Sequence, residues 1–234
     1  GLLAEAANST GAELVGALPH RAAFGAAATA GLNAAAMIAA PRKAYFLLNT
    51  EVESDSYTPQ AAVAAMKQAA TVIALTAYKG AGLLDYADVL LPIAPFSETA
   101  GSFVNMEGKL QSFNGVVRPL GETRPAWKVL RVLGNMLGLT GFEQNSAEEV
   151  RAELLAKGSI ESSLSNALGD VAINAAATTG LVRIGEVPLY QADAICRRAP
   201  SLQKTADAAA PVATAHSRLL ASLNVAAGSQ ALLR

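Results

Sequence analysis

Three short apolar runs decide the fold expected for this chain. Residues 44–48 read AYFLL, residues 71–76 read TVIALT and residues 88–91 read DVLL. Continuous apolar runs of this length are typical of parallel strands that are buried on both faces of a sheet. Residues 59–70, between the first two runs, have the spacing of a helix. The pattern predicts an α/β fold, a parallel sheet with flanking helices and right-handed crossovers.

The helix between the first two strands has clear start signals. Thr58 is a good capping residue, and Pro59 suits the first helical position. Val63, Met66 and Ala70 follow at helical spacing, which predicts the face that packs on the sheet.

Two further helices are predicted after the third run. One begins at Pro125 and runs to about Leu137. The other begins at Ser146, which forms a capping box with Glu149, and runs to about Lys157.

The segment after the third strand carries the most polar chemistry. Pro92 ends that strand, because proline has no N–H to donate to a sheet. Loops at the carboxyl ends of parallel strands are where open α/β sheets bind ligands. A phosphate or pterin could lie against the amides of this glycine-bearing loop, or the loop could simply close the sheet edge. Glu98 and Glu107 could form a glycosidase-like pair, but their spacing is not distinctive, which favours carboxylates that are solvated or that bind backbone N–H groups.

Composition excludes several classes of function. The 234 residues are 52% hydrophobic and carry a net charge of −1, without the basic stripe of a nucleic-acid-binding protein. A single cysteine, Cys196, cannot form an intrachain disulfide or a cysteine-based zinc or iron–sulfur site. His20 and His216 lie far apart, which favours surface or capping roles. No apolar run reaches the roughly 18 residues of a membrane span.

Four catalytic and nucleotide-binding motifs are absent: the P-loop, the dinucleotide fingerprint, the zincin helix and the nucleophile elbow. The chain opens at Gly1 without a methionine, in a sequence typical of the middle of a helix. We therefore expect it to be a fragment of a longer protein.

Two segments resemble a known superfamily. Residues 87–92 (ADVLLP) and 98–111 (ETAGSFVNMEGKLQ) resemble the molybdopterin oxidoreductases, whose hallmark is A-D-V-x-L-P followed by E-x-x-G-T-x-x-N-x-E-G-R-x-Q. The sequence departs from this pattern at Ser102 and Lys109. Residues 121–130 (GETRPAWKVL) extend the resemblance to the molybdopterin-fold subunit of bacterial respiratory complex I, the proton-translocating NADH:quinone oxidoreductase.

This resemblance implies three regions. Residues 1–140 would form the molybdopterin-oxidoreductase-like α/β domain, as in formate dehydrogenase and DMSO reductase. Residues 141–204 would form a helical and short-strand extension. Within it, the runs VAI at 171–173 and GLVRI at 180–184 by themselves predict strands. Residues 205–234 would be a linker and the truncated start of a C-terminal β-barrel-like domain.

The resemblance also implies a role. The chain would be a scaffold in the peripheral arm, at the cytoplasmic face of the bacterial inner membrane, contacting other peripheral-arm subunits without entering the membrane. The parent complex is an NADH dehydrogenase that passes electrons through FMN and iron–sulfur clusters to quinone. The parent subunit's 2Fe-2S and 4Fe-4S clusters belong to cysteine-rich N-terminal domains, so this part would hold no cofactor or metal and no catalytic residue.

The resemblance carries four residues over to a cofactor-facing loop: Gly101, Asn105, Glu107 and Gln111. In a molybdoenzyme these positions would face the pterin, and in a complex I subunit they would be vestigial.

Two alternatives stay open. The chain could be part of a molybdopterin-dependent catalytic subunit of the formate dehydrogenase or nitrate reductase type. It could also be an interaction module that docks neighbouring subunits through its alanine-rich residues 19–40.

Overall fold

The computed structural model describes residues 6–165, 167, 180–182, 184–185, 188–208 and 212–230. The chain divides into two compact units, residues 1–175 and residues 176–234. The predicted boundaries near residues 140 and 204 stay predictions.

A three-stranded parallel sheet organises the first unit. Its strands are β1 (Ala44–Leu48), β2 (Thr71–Thr76) and β3 (Val89–Pro92), in the order β1-β2-β3. Phe46 pairs with Ile73, and Ile73 pairs with Val89. With its flanking helices, this sheet confirms the predicted α/β class.

Eight described helices of the first unit surround the sheet and the residues that follow it. They are α1 (Ser9–Leu14), α2 (Ala34–Ala39), α3 (Val52–Asp55), α4 (Pro59–Gln68), α5 (Ala81–Leu84), α6 (Ala126–Met136), α7 (Ala147–Leu155) and α8 (Ile160–Ser163). Short 3₁₀ turns lie at Ala23–Gly25 and Phe96–Glu98. The starts predicted for α4, α6 and α7 are confirmed.

Helix α4 packs through a face that overlaps the predicted one, since Met66 is buried and Val63 packs at the edge of the core. Its buried residues are Ala62, Ala65 and Met66. Ala70 lies beyond the end of the helix, where its N–H donates to the Lys43 carbonyl (2.8 Å) and joins the sheet edge. The small alanine side chains let α4 approach the strands closely, so the larger Val63 is displaced to the margin.

One apolar cluster joins α4 and α5 to a single face of the sheet. Its buried members are Tyr45, Val52, Ala62, Ala65, Met66, Val72, Ala74, Leu83 and Tyr86. Tyr45 and Val72 are cross-strand partners, and Ala74 lies two residues further along the same face. This face therefore holds the main core of the unit.

The opposite face of the sheet is more open than predicted. Strand β2 is buried or half-buried throughout, but Phe46 and Leu48 of β1 and Val89 of β3 are exposed by 44%, 46% and 42%. The prediction of burial on both faces is confirmed for β2 and wrong for β1 and β3. The strands advance in one direction, so right-handed crossovers bring α4 and α5 to the same face.

Two polar contacts hold this core in register. The Asp88 carboxylate accepts a hydrogen bond from the Val72 N–H (2.7 Å), which joins the start of β3 to β2. The Tyr86 hydroxyl donates to Glu53 Oε2 (2.7 Å). Burial, and then the bond to Glu53, raise the pKa of Tyr86 well above its usual value.

The capping box predicted for α7 forms. Ser146 Oγ accepts a hydrogen bond from the Glu149 N–H (3.1 Å). The Glu149 carboxylate reaches back to the Asn145 N–H (2.7 Å), one residue before the cap. Both bonds satisfy N–H groups that a helix start leaves without partners.

The second unit is built from short helical segments. It contains α9 (Ala194–Arg197), α10 (Ser217–Ser222) and 3₁₀ turns at Leu189–Gln191, Leu202–Lys204 and Ala206–Ala208. Gln203 joins the turn at Leu202–Lys204 to α9 and to the turn at Leu189–Gln191, because its Nε2 donates to the carbonyls of Cys196 (2.8 Å) and Tyr190 (3.2 Å). The described residues of 180–184 form no strand, and the strand predicted at 171–173 lies outside the described residues.

Within the described residues, no helix has the length and apolar character needed to cross a membrane.

Candidate functional site

A β-hairpin follows the sheet in the segment predicted to be a polar loop. After β3, the chain passes through buried Ile93 and Ala94 and the 3₁₀ turn Phe96–Glu98. Strands β4 (Gly101–Val104) and β5 (Leu110–Phe113) then pair antiparallel. The loop interpretation is therefore wrong for Gly101–Val104 and for Leu110 and Gln111, because cross-strand pairing satisfies their backbone groups. The sequence predicts extended chain from Ser112, and β5 confirms this for Ser112 and Phe113.

Three phenylalanines pack together on one face of the hairpin. The ring centroids of Phe96 and Phe113 lie 4.9 Å apart, those of Phe103 and Phe113 lie 5.2 Å apart, and those of Phe96 and Phe103 lie 5.8 Å apart. Gly101 lies against them, since an added Cβ would stand 2.7 Å from the Phe113 ring. The hairpin is thus anchored by aromatic packing that the sequence analysis did not anticipate.

Asn105 shapes the turn between the two strands. Its side-chain Oδ1 accepts hydrogen bonds from the N–H groups of Glu107 (3.0 Å) and Lys109 (2.9 Å). Gly108 completes the turn at a φ of +79°, a conformation that favours glycine. The amide oxygen of Asn105 therefore serves the turn itself.

Glu98 connects the hairpin region to the chain that leads into α6. Its Oε2 accepts a hydrogen bond from the Leu120 N–H (2.9 Å), and the Ser97 carbonyl accepts one from Val116 (2.7 Å). The interpretation of Glu98 as a backbone-binding carboxylate is confirmed, and Glu107 lies exposed in the turn.

The four predicted cofactor-facing residues all lie on this hairpin. Gly101 and Gln111 belong to its strands, and Asn105 and Glu107 belong to its turn. The side chains of Gln111 and Glu107 are exposed. Whether the four residues face a pterin stays a prediction.

The chemistry of these residues suits one edge of a pterin. Gln111 and the Asn105 amide nitrogen can donate hydrogen bonds, and Gln111 can also accept them. The missing side chain of Gly101 leaves no space for the pterin ring, because the Phe113 side chain fills that space. The hairpin could therefore contact a pterin through polar side chains at the edge of the pterin ring. Within the described part of the chain, no group of three or more histidine, cysteine or acidic side chains could hold a metal ion.

A cavity of about 400 Å³ lies against the other face of the hairpin. Side chains alternate along a strand, so Ser102 and Val104 project away from the face of Phe103. Buried Leu14 and Ile160 pack with Val104, and half-buried Trp127 adds to the walls. No local sequence pattern marks this cavity, because its walls come from segments far apart in the chain.

A polar contact between distant residues fixes one wall of the cavity. Asn8 Oδ1 accepts a hydrogen bond from the Val104 N–H (2.9 Å), which joins the residue before α1 to the last residue of β4. Asn8 thereby connects the start of α1 to the hairpin.

Arg151 of α7 provides a positive charge at this cavity. Its Nη1 donates to Ser112 Oγ (2.6 Å) and Ser102 Oγ (3.3 Å). These two hydroxyls are cross-strand partners that lie 3.0 Å apart. The contacts span 39 and 49 positions in the chain, so no local pattern could have identified them.

The remaining sequence candidates have structural roles. His216 caps α10, as its Nδ1 accepts a hydrogen bond from the Arg218 N–H (3.2 Å), and His20 is exposed. Cys196 is a free, half-buried thiol in α9.

Comparison with known proteins defines the family. Residues 3–136 match the model of the family described as molybdopterin oxidoreductase, and the chain belongs to that family. The chain is also 42% identical over 53 residues to proteins named "Putative formate dehydrogenase" from Staphylococcus aureus strains bovine RF122 / ET3-1 and USA300. Each match covers 23% of this chain and 5% of the relative.

Proposed function

We propose that this chain is part of a molybdopterin-dependent oxidoreductase of the formate dehydrogenase type. The position of the β4–β5 hairpin carries the proposal, because it follows the carboxyl end of β3 in a chain of the molybdopterin oxidoreductase family. Open parallel sheets bind ligands at this edge. The name shared by the S. aureus relatives supports the formate dehydrogenase class.

The hairpin would hold one edge of the cofactor. Gln111 and the Asn105 amide nitrogen would hydrogen-bond the pterin, while the phenylalanine cluster keeps both strands in place. When bound, the molybdenum cofactor supplies two-electron oxidation and reduction. The residues of this hairpin would orient the group.

A second candidate is the scaffold role of the complex I subunit that has this fold. It is supported by residues 121–130, which resemble that family, and by the turn, where the Asn105 oxygen is already occupied. The chain would then contact other peripheral-arm subunits at the cytoplasmic face of the inner membrane. Electrons from NADH would reach quinone through FMN and iron–sulfur clusters elsewhere in the complex.

Cofactor content separates the two candidates. The intact protein is purified from cells supplied with molybdate, and its molybdenum is measured by mass spectrometry and its pterin by fluorescence after oxidation. The formate dehydrogenase proposal expects about one pterin per chain and formate-dependent dye reduction. Absence of pterin, together with iron and copurifying NADH-oxidising subunits, would support the scaffold instead.

A pair of glutamine variants tests the hairpin itself. Gln111→Ala is expected to lower pterin retention, because it removes an amide at the predicted edge contact. Gln60→Ala, an exposed substitution on α4, is the matched control and should retain the pterin. Equal retention in both variants would refute a role for Gln111.

A further inference from the structure

The cavity beside the hairpin has the properties of a binding site for a small amphiphile. Its volume of about 400 Å³ falls within the usual range of ligand sites, about 300–1,000 Å³. Most of its wall is apolar, with Leu14 and Ile160 buried and Phe24 and Leu110 packed beside them. Such a wall favours the hydrocarbon part of a ligand over water.

The polar end of the cavity is positively charged. Two hydroxyls hold the half-buried Arg151 guanidinium through Nη1, and its other nitrogens can still donate hydrogen bonds. Among the described residues, the two salt bridges are Arg124–Glu122 and Lys157–Glu153, so no carboxylate of that part lies within 4.0 Å of Arg151.

Among the described residues, none of the other charged groups near the cavity forms an ion pair with Arg151. Lys157 and Glu153 both line the cavity and pair with each other at 2.8 Å. Glu148 lies one helical turn before Arg151. Hydrogen bonds at the start of α7 are the main cause of its lowered pKa, and attraction to Arg151 contributes least.

We propose that this cavity binds an amphiphilic monocarboxylate. Its carboxylate would pair with Arg151, which can donate two parallel hydrogen bonds to such a group, and its hydrocarbon body would lie along Leu14 and Ile160. A single guanidinium matches a single negative charge. The proposal does not rest on the redox function, because Gln111 and Asn105 do not line the cavity. Its walls take Ser102, Val104 and Leu110 from the face opposite Phe103, and Gly101 from the edge.

Tryptophan fluorescence reports on binding directly. Trp127 is the only tryptophan in the 234-residue chain, and it lines the cavity. The chain is titrated with decanoate, and with decanol as an uncharged ligand of equal length, below their micelle or solubility limits. We expect a saturable change with decanoate at an affinity at least about tenfold above that of decanol, from the charged hydrogen bonds.

Arginine variants test the polar end. Arg151→Gln should weaken decanoate binding about tenfold and leave decanol binding unchanged. Arg118→Gln, which changes an exposed arginine outside the cavity, is the matched control and should change neither. Circular dichroism and the urea midpoint show whether each variant is folded.

Three results would overturn the proposal. The first is equal affinity of the unsubstituted chain for decanoate and decanol. The second is equal affinity of that chain for hexanoate and decanoate. The third is that Arg151→Gln and Arg118→Gln weaken decanoate binding equally. The first two comparisons use the unsubstituted chain, so they decide the matter even if Arg151→Gln does not fold.

Discussion

The parallel sheet and the β4–β5 hairpin belong to one compact unit, but different interactions stabilise them. In the sheet, β2 is covered by α4 and α5, and Leu83 and Ala62 have no exposed surface. The hairpin borders a cavity and depends on hydrogen bonds that Asn8 and Asn105 accept and that Arg151 donates. Close apolar packing leaves no room for a ligand, whereas the hairpin has both space and polar groups.

The largest effect is expected in the sheet core. Leu83→Ala should lower the free energy of unfolding by about 2–5 kcal/mol, because it leaves a cavity in a fully buried position. Leu84→Ala is the matched control in the same helix. Its side chain is 49% exposed, so the loss should be about 1 kcal/mol or less. Urea denaturation measures both, and similar losses would contradict the assigned core.

The next effect is expected in the hairpin turn. Gly108→Ala should cost about 1–3 kcal/mol, because alanine disfavours a φ of +79° and its Cβ would meet the Leu164 side chain. Gly121→Ala is the matched control, since its φ of +55° is also positive but no atom stands nearby. The urea midpoints of the two variants separate the cost of the contact with Leu164 from the cost of the positive φ, since only Gly108 has the contact. A greater loss at Gly121 would show that the turn is wrongly described.

A smaller effect is expected at Asn105. Asn105→Ala should cost about 1 kcal/mol, because the N–H groups of Glu107 and Lys109 lose their acceptor. Hydrogen exchange of these two amides should become faster, while amides of β2 stay protected. Asn105→Asp retains an acceptor oxygen and should preserve protection. Equal exchange in the alanine and aspartate variants would exclude this role.

The smallest effect is an alkaline dependence of stability. The folded state raises the pKa of Tyr86 above the unfolded value of about 10, so it binds the phenolic proton more tightly. This stabilisation is complete below about pH 10 and declines as the pH rises towards the folded pKa, by about 1 kcal/mol per pH unit. Tyr86→Phe should flatten that decline in urea denaturation between about pH 9 and 11.

The matched control for the pH experiment is Tyr57→Phe. Tyr57 is exposed, so its loss should leave the decline unchanged. If the free energy of unfolding falls with pH equally steeply in both variants, folding does not raise the pKa of Tyr86.

The sequence by itself determined the three strands of the parallel sheet, the α/β class and the starts of the main helices. Runs such as residues 71–76 and signals such as Thr58–Pro59 are local, and local backbone preferences are strong enough to be read from neighbouring residues. The hairpin also has a local signal, two short segments that each carry a phenylalanine and are separated by a turn with glycine at 108, but the same polar residues fit a loop.

Only the tertiary structure decided which surfaces are buried and where space remains. The exposure of Phe46 and Val89 follows from the order of the strands, which places both crossover helices on one face. Arg151 reaches Ser112 across 39 positions, and Asn8 reaches Val104 across 96. Such contacts depend on how whole helices and strands pack, because burial stabilises apolar residues that are far apart in the sequence when they come together in the fold.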